Sequence, residues 1–252
     1  MIDITIGQER FNQAVIPATL LPRAVVNFTQ NVVTIEAQSE SHLIKFRSTI
    51  PESIFTKYKI KEDTTFGIHT EDILKLIQMS DDRSDINIRF DKANRRIIFI
   101  SRTLKYRTPE LDPRYVSNKY VRGKDDLALE LSINKEIDKF CEAIKLANKI
   151  ATYCTLEFHS DKSTVVLEAN GDLDDLQIEI MANFMFQRLD NEIGFDERLQ
   201  NRYSLDKLVD ILEIVPVDKA VKIGVTQNSE LILSFSFANV GEIYFKLNDL
   251  IR

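Results

Sequence analysis

The chain has no tryptophan, seven glycines, six prolines, three histidines and two cysteines in 252 residues, and these scarcities close off several kinds of chemistry. Gly7, Gly67, Gly123, Gly171, Gly194, Gly224 and Gly241 stand far apart, so neither glycine-rich phosphate loop, G-x-G-x-x-G or G-x-x-x-x-G-K, can be assembled. His42, His69 and His159 have no Cys or second His at ligand spacing, which argues against zinc. Cys141 and Cys154 make no disulfide framework, so a reducing intracellular compartment is expected. Cys141 falls on an apolar helix face and reads as a core residue. No Ser/His/Asp or Cys/His grouping is identifiable, and no catalysis, cofactor or metal is expected. No apolar run approaches the ~20 residues of a membrane span. The opening MIDITIGQERF has neither the basic nor the apolar region of a signal peptide.

What is present is an ordinary globular composition, 44% hydrophobic and 29% charged. Lys and Arg number 33 against 39 Asp and Glu, for a net charge of −6. That balance argues against coating nucleic acid by bulk charge and leaves contact through a single face open. Asp172, Asp174 and Asp175 sit in NGDLDD, which lacks the later Gly and terminal Glu of a calcium loop. The segment reads as a solvated turn, with a cation site as the alternative; a hydrolase built on these three carboxylates is a further reading, and it has no accompanying base or metal ligand.

The informative feature is an internal repeat. VVNFTQNVVTIEAQSESHLIKF (25–46) alternates as three strands and two turns, and CTLEFHSDKSTVVLEANGDLDDLQIEI (154–180) repeats that reading. Each stretch follows an amphipathic helix candidate, at 8–16 and at 134–148. HTEDILKLIQMSDDRSDINIRF (69–90) and YSLDKLVDILEIVPVDKAVKIGV (203–225) each read as helix, turn and strand. Paired strands then follow in both halves, RRIIFIS and ELILSFSF. VVTIEA and VVLEA lie 132 residues apart and the ILKLI and LVDIL helices 135, so the repeat is collinear. Each half has two short helices and eight or nine strands, and each helix needs a sheet on which to bury its apolar stripe. The expected architecture is therefore α+β: a first half at 1–109, a connector at 110–126 and a second half at 127–252. The connector, ELDPRYVSNKYVRGKDD, has two breakers and no sustained periodicity, and with the preceding Arg107 it carries Arg114, Lys119, Arg122 and Lys124.

The order of SHLIKFRSTIPESIFTKYKI, FGIHTEDILKLI, AIKLANKIATYCTLEF, VVLEANGDLDDLQIEI, NRYSLDKLVDIL and the terminal GEIYFKL resembles the sliding DNA clamps of the proliferating-cell-nuclear-antigen (PCNA) type, most like the archaeal ones, over almost the whole chain. The resemblance implies a closed ring of subunits with helices lining a hole and sheets outside. Such a ring encircles duplex DNA as a processivity factor, without catalysis, and serves replication and repair enzymes as a docking platform. The partners it implies are the chain itself as a trimer, a DNA polymerase, a clamp loader and other replication or repair enzymes, with no membrane. It places the protein on DNA, in the cytoplasm if archaeal or viral and in the nucleus if eukaryotic.

The resemblance also assigns residues. DNA-facing positions are Arg10, Lys75, Lys135, Lys139, Lys145 and Lys149, and they are sparse. Asp138 and Glu142 dilute the lysines of the 134–148 helix; Asp206, Asp210 and Glu213 outnumber Lys207 on 204–215; Glu9 faces Arg10, and Glu71 and Asp72 face Lys75. The client-peptide pocket would involve His42, Leu43, Lys45, Tyr115, Val116, Glu230, Leu231, Lys246, Asn248 and Asp249. Lys45 and Lys246 stand where apolar residues are usual, so either the clients carry acidic complements or the usual peptide does not bind. The subunit joint would pair SRTLKYRTP, with Arg102, Lys105 and Arg107, against DDLQIEI, with Asp174, Asp175 and Glu179. Opposite charges on the two edges favour self-assembly; charge on an edge strand also serves simply to prevent aggregation. The alternative function is a specialised clamp-fold subunit, a hetero-ring member or scaffold with an altered pocket.

Overall fold

A computed structural model describes residues 2–80, 84–102, 104–116, 127–187, 200–215 and 220–248. The chain divides into two compact units, 1–121 with 236–244, and 122–235 with 245–252.

The first half runs β1 (Ile2–Gly7), α1 (Gln8–Val15), β2 (Arg23–Phe28), β3 (Val32–Gln38), β4 (Ile44–Pro51), β5 (Lys57–Ile60) and β6 (Thr64–His69). It continues with α2 (Thr70–Met79), β7 (Asp85–Asp91), β8 (Arg96–Ile100) and β9 (Lys105–Pro109). The second runs β10 (Leu127–Ile133), α3 (Ile137–Ala147), β11 (Tyr153–His159), β12 (Thr164–Asn170), β13 (Asp175–Met181), β14 (Asn183–Gln187) and β15 (Gln200–Ser204). It ends with α4 (Leu205–Ile214), β16 (Val221–Thr226), β17 (Leu231–Phe237) and β18 (Gly241–Leu247). The succession of elements is the same in both halves.

The pairing repeats as well, and it is antiparallel in both halves. β1 lies between β5 and β7, with Ile4 opposite both Tyr58 and Ile88; β10 lies between β14 and β16. β7 continues to β8 and β9, as β16 continues to β17. The order β4–β3–β2–β6 in the first half is matched by β13–β12–β11–β15 in the second. Duplication therefore extends from the sequence to the hydrogen-bond ladder.

Period-2 burial explains the strands. Ile2, Ile4 and Ile6 of β1 are buried while Asp3 and Thr5 are half-exposed, and β4 buries Ile44, Phe46, Ser48 and Ile50. The helices bury residues at helical spacing: Ile137, Phe140, Ala143, Ile144 and Ala147 on α3, and Leu205, Leu208, Ile211 and Leu212 on α4. Each large apolar side chain so buried contributes roughly 1.5–3 kcal/mol, far more than the intrinsic preference of helices this short. In the first unit Phe28, Phe66 and Phe90 form a run of contacting rings, 5.1 and 5.4 Å between successive centroids.

The connector leaves the first half by docking on β6. Leu111 and Gly67 exchange both backbone hydrogen bonds at 2.9 Å. A Cβ on Gly67 would stand 3.0 Å from the Leu111 Cβ and carbonyl oxygen, so any larger residue would push the connector back by a few tenths of an ångström. Asp112 then caps the single turn Pro113–Tyr115 by accepting from the Arg114 N–H.

Candidate nucleic-acid and partner interfaces

With one side of each helix buried, the basic residues on and beside the helices point outward; Lys135 and Lys149 fall just outside α3 (Ile137–Ala147) rather than on it. Arg10, Lys75, Lys135, Lys139, Lys145 and Lys149 are all exposed. Half of them already face a carboxylate. Lys75 Nζ lies 2.8 Å from Glu71, whose hydrogen bond holds the ammonium above its ordinary range, and 4.0 Å from Asp72. Lys139 lies 3.3 Å from Glu136. Lys145 crosses from α3 to α4 to meet Glu213 at 3.4 Å. Lys207, the basic residue of α4, meets Asp210 at 3.3 Å. Arg10 donates to the Ile54 carbonyl at 3.3 Å. Lys135 and Lys149 make no ion pair among the described residues. Exposed pairs of this kind contribute little to stability, so an arriving phosphate can displace them. They nonetheless lower the positive potential at each of these helices.

The residues assigned to a client pocket fall into distinct environments. His42 and Leu43 are exposed in the turn between β3 and β4, where His42 takes a left-handed φ of 59° and its Nδ1 lies 2.6 Å from Gln38 Nε2. Lys45 is half-buried on β4 and Asn248 half-buried after β18. Val116 and Leu231 are buried, 3% and 0% exposed. Lys246 is also buried, 6% exposed, and forms an ion pair with Glu230. Glu230 in turn accepts from Thr226 Oγ1 at 3.2 Å, while its own N–H donates back to that hydroxyl at 3.1 Å. The charge of Lys246 is thus closed on a neighbouring carboxylate. Asp249 and the Tyr115 side chain lie outside the described residues.

The two strands assigned to a subunit joint each end a sheet: β9 has β8 as its sole described neighbour, and β13 has β12. Lys105 and Arg107 are exposed on β9, with Arg102 exposed just before it. Asp175 and Glu179 are exposed on β13, with Asp174 in the turn that opens it. Asp172 is exposed in the same turn, and the described residues contain no group of three His, Cys, Asp or Glu side chains placed to hold a metal. No helix among the described residues is long and apolar enough to cross a membrane. Cys141, expected in the core, is half-buried at the margin of the α3 stripe, and burial pushes its thiol up; Cys154 on β11 is buried and its thiol is pushed up to about 12.

No family model matches the chain. Among curated proteins it is 23% identical over 231 residues to a DNA polymerase sliding clamp of Nitrosopumilus maritimus, covering 91% of this chain and 90% of that one. A DNA polymerase sliding clamp of Thermococcus gammatolerans is 22% identical over 247 residues, 96% of this chain and 94% of its own. Among solved structures, A. fulgidus PCNA bound to the C-terminal region of FEN-1 superposes with a TM-score of 0.83 at 18% identity, over 100% of this chain and 99% of that one. PCNA from Thermococcus kodakaraensis gives 0.81 at 13%, over 99% and 100%. This is the PCNA-type clamp fold. Its sequence relatives are archaeal sliding clamps.

Two carboxylates of this chain carry no sequence signature. Asp72, on the first turn of α2, accepts from Tyr106 Oη at 2.8 Å and from Thr108 Oγ1 at 2.5 Å, both on β9. Glu136, immediately before α3, accepts from the Met181 N–H at the end of β13 at 2.7 Å. Neither belongs to a motif, since each partner lies more than 30 residues away along the chain.

Proposed function

We propose that this chain is a sliding clamp: copies of it join edge to edge as a trimeric ring around duplex DNA, and the ring serves as a processivity factor and docking platform for a polymerase, a clamp loader and other replication or repair enzymes. The observation that carries the reading is the pair of edges in one duplicated chain, β9 basic and β13 acidic, each without a strand on its open side among the described residues. A heterologous, head-to-tail joint of that kind generates a ring when its rotation closes. The sequence relatives named as sliding clamps support the same reading.

The thin basic lining fits a topological role. An encircled duplex is retained because the ring is closed, so strong phosphate contact is unnecessary. Direct affinity is then weak and screened by salt, each neutralised phosphate adding roughly 0.9 to the log–log slope. The test loads the purified protein on nicked circular DNA and on the same DNA made linear. Retention on circles that survives salt and is lost on linear ends is expected, with a solution mass of three chains. Equal retention on both, or tight binding to linear DNA with a steep salt slope, would overturn it.

The closed Lys246–Glu230 pair favours a second reading, a specialised clamp-fold subunit in a hetero-ring with clients of its own. A wild-type chain that stays monomeric at micromolar concentration, and assembles only with a different clamp chain, would select it.

A further inference from the structure

An edge strand can join a neighbour only if it stays flat and if its ladder begins and ends at defined residues. With one neighbour instead of two, such a strand frays easily, and a slip of one residue turns every side chain to the wrong face. Both edges of this chain are held at the point where that matters, one by a carboxylate in the first turn of α2 and the other by a carboxylate immediately before α3.

On β9 the Glu110 N–H returns to the Arg95 carbonyl at 3.0 Å. Since successive N–H groups alternate sides along a strand, those of Tyr106 and Thr108 also turn toward β8. The open side therefore offers the N–H groups of Lys105 and Arg107, and it stops at Pro109, which has none. Beneath the strand, Tyr106 and Thr108, two residues apart, place their hydroxyls on the two oxygens of Asp72, at 2.8 and 2.5 Å. Thr108 is 2% exposed, so no water can replace that bond. Asp72 lies in the first turn of α2.

On β13 the Ala182 N–H turns back to the Ser163 carbonyl at 2.9 Å, on the β12 side. The Met181 N–H therefore points to the open side, and Glu136 takes it at 2.7 Å. That bond is the main reason the Glu136 carboxyl is held below its usual range. What remains open is the run Asp175, Gln177 and Glu179, ended by a capped N–H as β9 is ended by a proline.

We propose that Asp72 and Glu136 are positioning residues for self-association: Asp72 holds β9 flat from below, and Glu136 closes the β13 ladder at Met181, so that the two open runs meet in a single register. This deepens the ring reading above and rests on it. Asp72→Asn and Glu136→Ala test it, with Asp72→Glu as the conservative rescue. Self-association by sedimentation is expected to weaken about ten-fold in D72N and in E136A and to recover in D72E. Amide exchange at Tyr106 and Thr108 is expected to rise about ten-fold in D72N, with the rest of the first unit unaffected. Wild-type association in D72N and E136A would overturn the proposal. So would a loss that only follows a fall in melting temperature, with exchange raised evenly across the unit. If the wild type itself proves monomeric, the ring reading fails, and unchanged exchange at Tyr106 and Thr108 in D72N still refutes the role of Asp72.

Discussion

Lys246 is a lysine held where solvent scarcely reaches it, beside a carboxylate that is itself 18% exposed on its side chain. Burial of either charge alone is costly, whereas the pair with its Thr226 hydrogen bonds is self-consistent. Lys246→Met should therefore destabilise the chain by about 2–4 kcal/mol, and Glu230→Gln by a similar amount. The double variant should regain at least half of that loss, because no uncompensated charge remains. Urea denaturation of the four proteins measures the coupling, and additive losses would show that the two residues act separately. From sequence, Lys246 reads as a charge intruding on an apolar pocket. The fold brings Glu230 to it, and that proximity has no signature in either residue's local surroundings.

At the scale of elements, helix position was legible and helix electrostatics was not. The apolar spacing that buries Ile137, Phe140 and Ile144 on α3, and Leu205, Leu208 and Ile211 on α4, is written in the chain at a period near 3.6. The expected termini differ from those observed by a few residues, since the end turns gain little from packing. Which lysines keep their charge to themselves depends on neighbours across helices. Glu213 of α4 stands 3.4 Å from Lys145 of α3, a contact made only when the two helices pack side by side. Glu213→Lys should release Lys145 and add a cation. The affinity for a short linear duplex at low salt should rise, and the salt slope should steepen by roughly 1–2 in the log–log plot. An unchanged slope would place this helical surface away from DNA.

For the whole molecule, the proposed ring makes the joint between one chain and its copy the property to test. The basic strand and the acidic strand lie in different units of the same chain, so charge reversal on one side should be correctable on the other. Arg107→Glu alone, and Glu179→Arg alone, should each weaken self-association about ten-fold at low salt, and the double variant should recover much of it. Sedimentation at two ionic strengths checks this, and the difference should shrink as salt screens the charges. Failure of the double variant to recover would show that these strands meet something other than each other.

The sequence by itself determined the duplication, the α+β class, the order of elements and the absence of phosphate-loop and zinc signatures. All of these rest on periodicity, composition and spacing, which are properties of neighbours along the chain. Tertiary structure alone decided that Lys246 closes on Glu230, that Lys145 closes on Glu213, that Cys141 sits at the edge of its stripe, and that Asp72 and Glu136 bond to the two open strands. The physical reason is common to all: an ion pair or a buried hydrogen bond depends on distance in space. That distance is set by the sheet register and helix packing that the apolar pattern produces, and the polar residues themselves leave no periodic trace.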